Sequence, residues 1–132
     1  LKKRIVSEKL WKKMKKTTLK LFERGTRISQ KVGIILVDTK YEFGIYKNKL
    51  ILIDEIHTPD SSRFWIKKTY RERFKKGLEP ENFDKEFMRI WFVKKGYEGE
   101  GKSPEMPKSF IQKISNRYIS IYEKLTKQKF IR

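Results

Sequence analysis

The chain has 132 residues, which is enough for one domain, so residues 1–132 are interpreted as a single domain. Its 34 Lys and Arg exceed its 16 Asp and Glu, and the net charge of +18 favours an anionic partner such as a nucleotide, a nucleic acid or a phosphorylated metabolite. Cysteine is absent, which excludes disulfides, zinc–thiolate sites and thiol nucleophiles.

The first predicted element is an amphipathic helix that begins at Ser7, an N-cap residue, and ends near Arg27. Two strands follow at residues 33–46 and 50–56, and a three-residue turn at 47–49 joins them into a hairpin. Both strands are apolar on both faces, which is typical of a covered sheet. The sequence therefore predicts an α+β fold in which helices cover an antiparallel hairpin.

The second half of the chain is predicted to be mostly helical. Residues 57–65 are interpreted as a loop, and residues 67–76 as a basic loop with at most one helical turn. A helix follows from Asn82, its N-cap, to a stop at Gly96. After a glycine-containing connection, a last helix begins at Pro107 and runs nearly to the C-terminus.

Composition leaves two classes of function open. The longest apolar run, residues 34–37, is far too short to span a membrane, so a cytoplasmic protein without a membrane partner is expected. Alanine is absent and Lys and Ile are abundant, so a biased composition explains the excess charge as well as an anionic partner does. An enzyme that acts on phosphorylated substrates is therefore weighed against a basic nucleic-acid-binding module. The module is the alternative, because the cations are spread along the whole chain without a familiar nucleic-acid motif.

Two acids lie inside the apolar strands, where a carboxylate is costly unless a cation pairs with it. With a three-residue turn, Glu42 faces Asp54, and Lys40 follows on the same side of the sheet. Facing carboxylates destabilise a sheet, whereas magnesium would reverse that effect and Lys40 would reach a phosphate on the metal. These three residues are interpreted as the outline of a phosphoryl-transfer site.

The register of this hairpin is open. A two-residue turn would turn Asp54 to the other face and place Glu55 opposite Glu42, and the apolar pattern does not distinguish the two registers. The acids also fit a surface pair bonded to nearby lysines, because structural ion pairs resemble sites.

Basic side chains further along the chain fit an anionic substrate. Arg63 follows a pair of serines, and its planar fork suits a carboxylate or a phosphate. Lys85 and Arg89 are four residues apart on one helix face, where they form a phosphate clamp in this interpretation. Each also fits a solvated surface charge. His57, the single histidine, is interpreted as a bystander more readily than as a general base.

Several segments together resemble one family. They are residues 38–44 (DTKYEFG), 54–65 (DEIHTPDSSRFW), 83–91 (FDKEFMRIW), 106–107 (MP) and 122–126 (YEKLT). Through them the chain resembles the SAICAR synthetases, or phosphoribosylaminoimidazole-succinocarboxamide synthases, of purine biosynthesis. The likeness covers nearly the whole chain, and its most specific part is the run TPDSSRFW.

The resemblance implies an ATP-dependent ligase that joins L-aspartate to the carboxylate of carboxyaminoimidazole ribotide through an acyl phosphate. It implies ATP and Mg²⁺ as cofactors. In the family's motifs, Glu42 and Asp54 match the acids that hold magnesium with the ATP phosphates, and Lys40 matches a lysine at the phosphates and the reacting carboxylate. The resemblance also favours Asp54 over Glu55 as the second acid.

The same motifs imply a set of substrate contacts. The substrate-binding residues implied in this way are Asp38, Ser62, Arg63, Lys85 and Arg89. Arg89 matches a ligand of the ribotide 5′-phosphate, and Lys85 assists it. Catalytic roles are assigned to Lys40, Asp60 and Arg63.

The family also has an N-terminal half, with a β-rich nucleotide lobe whose glycine-containing loop has no counterpart in these 132 residues. Because the chain also begins with Leu1 rather than Met, we expect a C-terminal portion completed by a nucleotide lobe in the same polypeptide or in a second chain. Alone, such a portion is expected to bind nucleotide weakly and to turn over little. A homo-oligomer is compatible with the sequence.

Overall fold

The structure, a computed structural model, describes residues 6–131. Its helices are α1 (Glu8–Lys31), α2 (Lys67–Lys75), α3 (Glu86–Lys94) and α4 (Lys108–Thr126). Its strands are β1 (Ile34–Thr39), β2 (Phe43–Tyr46), β3 (Lys49–Leu52) and β4 (Ser62–Ile66). Within this described part, β1 pairs with β4 and β2 with β3, both antiparallel, and the predicted α+β class is confirmed.

Helix α1 begins where the sequence predicts and ends slightly later. The hydroxyl of Ser7 accepts a hydrogen bond from the backbone N–H three residues later (3.2 Å), which confirms Ser7 as the N-cap. The helix continues to Lys31, and Gly33 then takes a φ of 74°, which glycine adopts without a steric penalty. Its buried residues are Gly25 and Ser29, and the helix packs along β1.

The first predicted strand is broken into β1 and β2, and β1 pairs with a segment that the sequence indicated to be loop. In this pairing Asp38 lies directly opposite Arg63. Side chains of β4 alternate, since Ser62 and Phe64 are buried while Arg63 is exposed. The loop prediction for residues 57–65 is therefore wrong from Ser62 onward.

The hydrophobic core of the described residues lies on the β1–β4 sheet. Its buried members are Ile34, Leu36, Phe64 and Ile121, and the last of these comes from α4. Helix α4 begins at Lys108, one residue after the predicted start at Pro107, which is instead its N-cap residue. Helices thus cover the β1–β4 pair rather than the hairpin. None of the helices within residues 6–131 is long and apolar enough to cross a membrane.

The hairpin closes with a two-residue turn. Lys47 and Asn48 both have positive φ (46° and 62°), as a type I′ turn requires. Tyr46 consequently lies opposite Lys49, and the predicted three-residue turn at 47–49 is wrong.

The shorter turn changes which side chains face one another. The N–H of Ile53 donates to the carbonyl of Glu42 at 3.1 Å, so Ile53 is the residue opposite Glu42. The predicted pairing of Glu42 with Asp54 is therefore wrong. The two-residue turn that the sequence left open as the alternative is confirmed, but it places Ile53 rather than Glu55 opposite Glu42. The hairpin is also more exposed to solvent than the sequence predicts, and its exposed apolar side chains include Ile45, Ile51 and Ile53.

Two helices in the second half of the chain also differ from the sequence prediction. Helix α2 occupies a segment interpreted as loop, and Tyr70 from it stacks on Trp65 with ring centroids 5.3 Å apart. Helix α3 begins at Glu86 rather than just after Asn82, which instead forms a β-bridge with Trp65. The helix ends before Gly96, as predicted, and Gly96 has a φ of 76°.

Candidate functional site

An open cleft of about 700 Å³ lies where the ends of β1 and β3 and the start of β4 meet the start of α3. Of the residues that the sequence proposes for the site, those lining this cleft are Asp38, Lys40, Asp54, Asp60, Ser62, Arg63, Lys85 and Arg89. Glu42, the remaining one, is bonded to Lys40 at the edge of the cleft. The fold thus brings three distant sequence segments to one place.

The ammonium of Lys40 is the meeting point of two acids. Its Nζ lies 2.6 Å from Oε1 of Glu42 and 3.5 Å from Oδ2 of Asp54. Lys40 and Glu42 lie in the break between β1 and β2, and Asp54 follows β3. The hydrogen bond that the Lys40 ammonium donates to Glu42 raises the pKa of this ammonium above its usual value. Although the predicted register is wrong, both carboxylates still converge on one cation.

Asp38 and Arg63 form a cross-strand ion pair in the same cleft. Nε of Arg63 lies 3.0 Å from Oδ1 and 2.9 Å from Oδ2 of Asp38, and Nη2 also donates to Oδ2. This bonding lowers the pKa of the Asp38 carboxyl and raises the pKa of the Arg63 guanidinium. The sequence proposed Arg63 as a free anion-binding fork, whereas here part of the fork is held by Asp38.

We predict that Arg63→Gln raises the pKa of Asp38 toward its usual value of about 3.9. Because the folded-state pKa of Asp38 is lowered, the pair stabilises the fold above the unfolded-state pKa, and this stabilisation is lost as pH falls through the folded-state pKa. The Arg63→Gln protein should therefore lose less stability than wild type on acidification below about pH 4. Carboxyl NMR titration of Asp38 measures the shift, with Arg89→Gln as the control. An unchanged Asp38 titration in Arg63→Gln would contradict the pairing.

Hydroxyl groups fix the loop that precedes β4. The N–H of Thr58 donates to Oγ of Ser61, and the N–H of Ser61 donates to Oγ1 of Thr58, both at 3.1 Å. Oγ of Ser62 donates to Oγ1 of Thr39 at 2.8 Å, and the N–H of Lys40 donates to the carbonyl of Ser61 at 3.1 Å. The loop is thereby attached to the end of β1. Ser62, proposed as a substrate contact, is buried and bonded within this network.

The opposite wall carries the two remaining cations. Nζ of Lys85 lies 3.1 Å from Oδ1 of Asp60, and Nε of Arg89 lies 2.9 Å from Oε2 of Glu86. The hydrogen bond to Glu86 raises the pKa of the Arg89 guanidinium and lowers the pKa of the Glu86 carboxyl. Both cations are more than half exposed, so an anionic ligand can compete for them with these acids.

Asp84 is a cleft residue that sequence reasoning missed. It is 2% exposed, and its carboxylate accepts hydrogen bonds from the N–H of Phe64 (2.8 Å) and the N–H of Glu86 (2.9 Å). Burial raises the pKa of Asp84, against the effect of these two donors. The signal in the sequence was an aspartate two residues before a helix, which is typical of a helix N-terminus. Asp84 therefore ties β4 to the start of α3 beneath the cleft.

Comparison with known proteins settles the family. The sequence profile of the SAICAR synthetases matches residues 2–106. The chain belongs to the SAICAR synthetase family. A phosphoribosylaminoimidazole-succinocarboxamide synthase of Bacteroides thetaiotaomicron is 45% identical over 134 aligned residues, which cover 100% of this chain and 43% of that protein.

Solved structures of the SAICAR synthetase family give the same result. The SAICAR synthase of Saccharomyces cerevisiae, in complex with SAICAR, superposes with a TM-score of 0.80 at 34% identity. The superposed region is 97% of this chain and 42% of the yeast chain. A SAICAR synthetase in complex with ADP superposes with a TM-score of 0.66 at 32% identity, covering 96% of this chain and 42% of its own. The chain thus spans less than half the length of these relatives, and the expected match to the C-terminal portion is confirmed.

Proposed function

We propose that this chain is the metal- and substrate-binding part of an ATP-dependent ligase that joins L-aspartate to the carboxylate of carboxyaminoimidazole ribotide. The observation that carries this proposal is the convergence of three of the five family-like segments, 38–44, 54–65 and 83–91, on one cleft lined by both acids and cations. The relatives named for this activity, and the structures that hold SAICAR and ADP, support it. We place the activity in the cytoplasm, with an N-terminal nucleotide lobe in the same or a second chain.

The carboxylates at the cleft edge fit magnesium in both number and kind. One oxygen of Glu42 and one of Asp54 lie near the same cationic group, the Lys40 ammonium, at 2.6 Å and 3.5 Å. Among the described residues, no group of three or more His, Cys, Asp and Glu is placed to hold a metal ion. A pair of acids suits magnesium, which is usually held by one or two carboxylates together with substrate phosphates. When bound, the ion would neutralise charge on the ATP phosphates.

We assign the reacting centre to Lys40 and Arg63. Glu42 and Asp54 hold the Lys40 ammonium at the cleft edge, where it neutralises the carboxylate that receives the phosphoryl group. Asp38 fixes the orientation of the Arg63 guanidinium, which leaves Nη1 for a substrate oxygen. In this proposal the rate enhancement comes mainly from orientation and charge neutralisation.

The opposite wall is assigned to substrate recognition. Lys85 and Arg89 exchange their contacts with Asp60 and Glu86 for the 5′-phosphate of the ribotide. Asp60, released from Lys85, then faces the amine of L-aspartate as the third proposed catalytic residue. In this proposal, Ser62 keeps the substrate-binding loop in place, because its buried hydroxyl donates a hydrogen bond to Oγ1 of Thr39.

A chimaera tests the proposal directly. The N-terminal portion of the Bacteroides thetaiotaomicron relative is joined to this chain in place of its own matching segment. We expect release of ADP and phosphate that depends on both L-aspartate and carboxyaminoimidazole ribotide. This chain and the N-terminal portion, each alone, are the controls.

Two outcomes would contradict the proposal. One is a folded chimaera that binds ADP but forms no product when ATP, L-aspartate and carboxyaminoimidazole ribotide are all present. The other is tight RNA binding with a steep salt dependence and no effect of nucleotide, which would favour the basic nucleic-acid-binding module instead.

A further inference from the structure

The His57 side chain packs against α1 and does not line the cleft. Within residues 6–131, the side chains that line the cleft include neither His57 nor Tyr41. The imidazole rests on Gly25, where an added Cβ would lie 2.5 Å from Cε1, 2.7 Å from Nε2 and 2.8 Å from Nδ1. Carbon atoms in proteins do not approach this closely without displacing one another. The His57 ring therefore packs directly on Gly25, in space that any larger residue would occupy.

A glycine inside a helix is otherwise unfavourable. It costs about 1 kcal/mol relative to alanine in the middle of a helix such as α1. The close contact with His57 explains why glycine is needed at this position.

The other side of the ring is bonded to Tyr41. Nε2 of His57 lies 2.6 Å from the hydroxyl oxygen of Tyr41, and the two rings meet edge to face with centroids 5.6 Å apart. Burial lowers the pKa of His57, which favours the neutral ring, and Nε2 of a neutral ring can accept a hydrogen bond from the Tyr41 hydroxyl.

The two partners occupy the two segments that carry the site. Tyr41 lies between Lys40 and Glu42, whose side chains contact each other while Tyr41 turns to His57. His57 itself directly precedes the hydroxyl-rich loop that begins at Thr58. Its φ of 57° is a conformation that few residues other than glycine adopt. A strained residue that joins two site-bearing segments is an unusual arrangement for a bystander.

We propose that His57 is a positioning residue that sets the distance between the Lys40–Glu42 segment and the Thr58–Arg63 loop. It does so through its packing on Gly25 and its hydrogen bond with Tyr41. It acts through its neighbours and touches neither substrate nor metal. This inference rests on the proposed function, because the distance matters only if both segments serve one reaction.

A double-mutant cycle tests the packing of His57 on Gly25. In the chimaera, Gly25→Ala should lower the melting temperature by about 5 °C or more, because the new methyl group displaces the imidazole. In a His57→Ala background the same change should leave the melting temperature equal or higher, because alanine is the better helix former. An equal fall in melting temperature in both backgrounds would show that Gly25 is not needed to accommodate His57.

Kinetics test the positioning role. Tyr41→Phe removes one hydroxyl group, and we expect kcat to fall about tenfold at temperatures where the chimaera is folded, since small misplacements of reacting groups are costly. His57→Gln, whose amide oxygen can accept from Tyr41, should keep more activity than His57→Ala. Tyr46→Phe is the matched control, because Tyr46 is 60% exposed on the hairpin.

The outcomes separate the two proposals. A wild-type chimaera without product contradicts the proposed function. An active wild type in which Tyr41→Phe lowers the melting temperature and leaves kcat unchanged overturns the positioning role. Loss of kcat in Tyr41→Phe, with partial rescue in His57→Gln relative to His57→Ala, supports it.

Discussion

Replacing Glu42 with glutamine, or Asp54 with asparagine, is expected to lower kcat of the chimaera for the proposed reaction about a hundred- to thousandfold, the order found when one charge-stabilising group is removed from a reacting centre. Both carboxylates contact the Lys40 ammonium, at 2.6 Å and 3.5 Å, and both are proposed to hold magnesium. Because the amides keep the side-chain size but remove a negative charge, ATP with magnesium should no longer raise the melting temperature. The measurements are kcat and thermal melts with and without ATP and magnesium.

Glu55 provides the matched control. It follows Asp54 in the chain and lines the same cleft, while the structure places Asp54, and not Glu55, within 4 Å of the Lys40 ammonium among the described residues. Glu55→Gln should therefore leave kcat within about twofold of wild type, as expected for a surface substitution. If Glu55→Gln abolishes the ATP–magnesium effect and Asp54→Asn preserves it, the proposed acid pair is wrong.

Local patterns were enough to predict the long helices and the fold class. Ser7 caps α1 and Pro107 precedes α4, and both signals act within a few residues of the helix that they start. The sequence favoured a three-residue turn over the observed type I′ turn for an equally local reason. Lys47 takes a positive φ of 46° without being glycine, so the usual residue signal for this turn was absent at its first position.

Non-local pairing accounts for the larger errors. Strand β4 is short and begins with serine, and its partner β1 lies more than 20 residues earlier in the chain, so no local pattern reveals the pair. The register of these strands brings Asp38 to Arg63, an ion pair that the sequence prediction did not contain. Helix α2 is likewise supported by the stacking of Tyr70 on Trp65, a tertiary contact that outweighs its weak apolar pattern.

The structure brings the proposed site residues together although the register of the hairpin differs from the prediction. Glu42 and Asp54 meet at Lys40 although they are not opposite each other, because both follow strand ends and enter irregular backbone there. The family-like motifs specify which residues belong together and do not depend on the pairing register. The contacts of Asp84 and His57 did not emerge from the sequence, because they depend on burial, which a single sequence does not show.

Asp84→Ala is expected to cause the largest loss of stability, about 3 kcal/mol, which is the order expected for removing a charged acceptor and leaving its buried donor unpaired. The carboxylate is 2% exposed and accepts the N–H of Phe64, which belongs to the core, and the N–H of Glu86 at the start of α3. Alanine would leave the Phe64 N–H without an acceptor and would free the N-terminus of α3. Because domains of this size are stable by only about 5–15 kcal/mol, the loss should be evident in urea unfolding.

Two comparisons make the Asp84 result specific. Asp60→Ala removes a carboxylate from the same cleft, but this side chain is exposed and paired with Lys85, so its loss should cost less than about 1 kcal/mol. Asp84→Asn should fall between the two, because an amide can accept from one of the two N–H groups while presenting its own N–H to the other. Equal urea midpoints for Asp84→Ala and Asp60→Ala would mean that the buried carboxylate does not hold β4 and α3 together. The floor of the cleft would then depend on the apolar contacts around Phe64 rather than on these two hydrogen bonds.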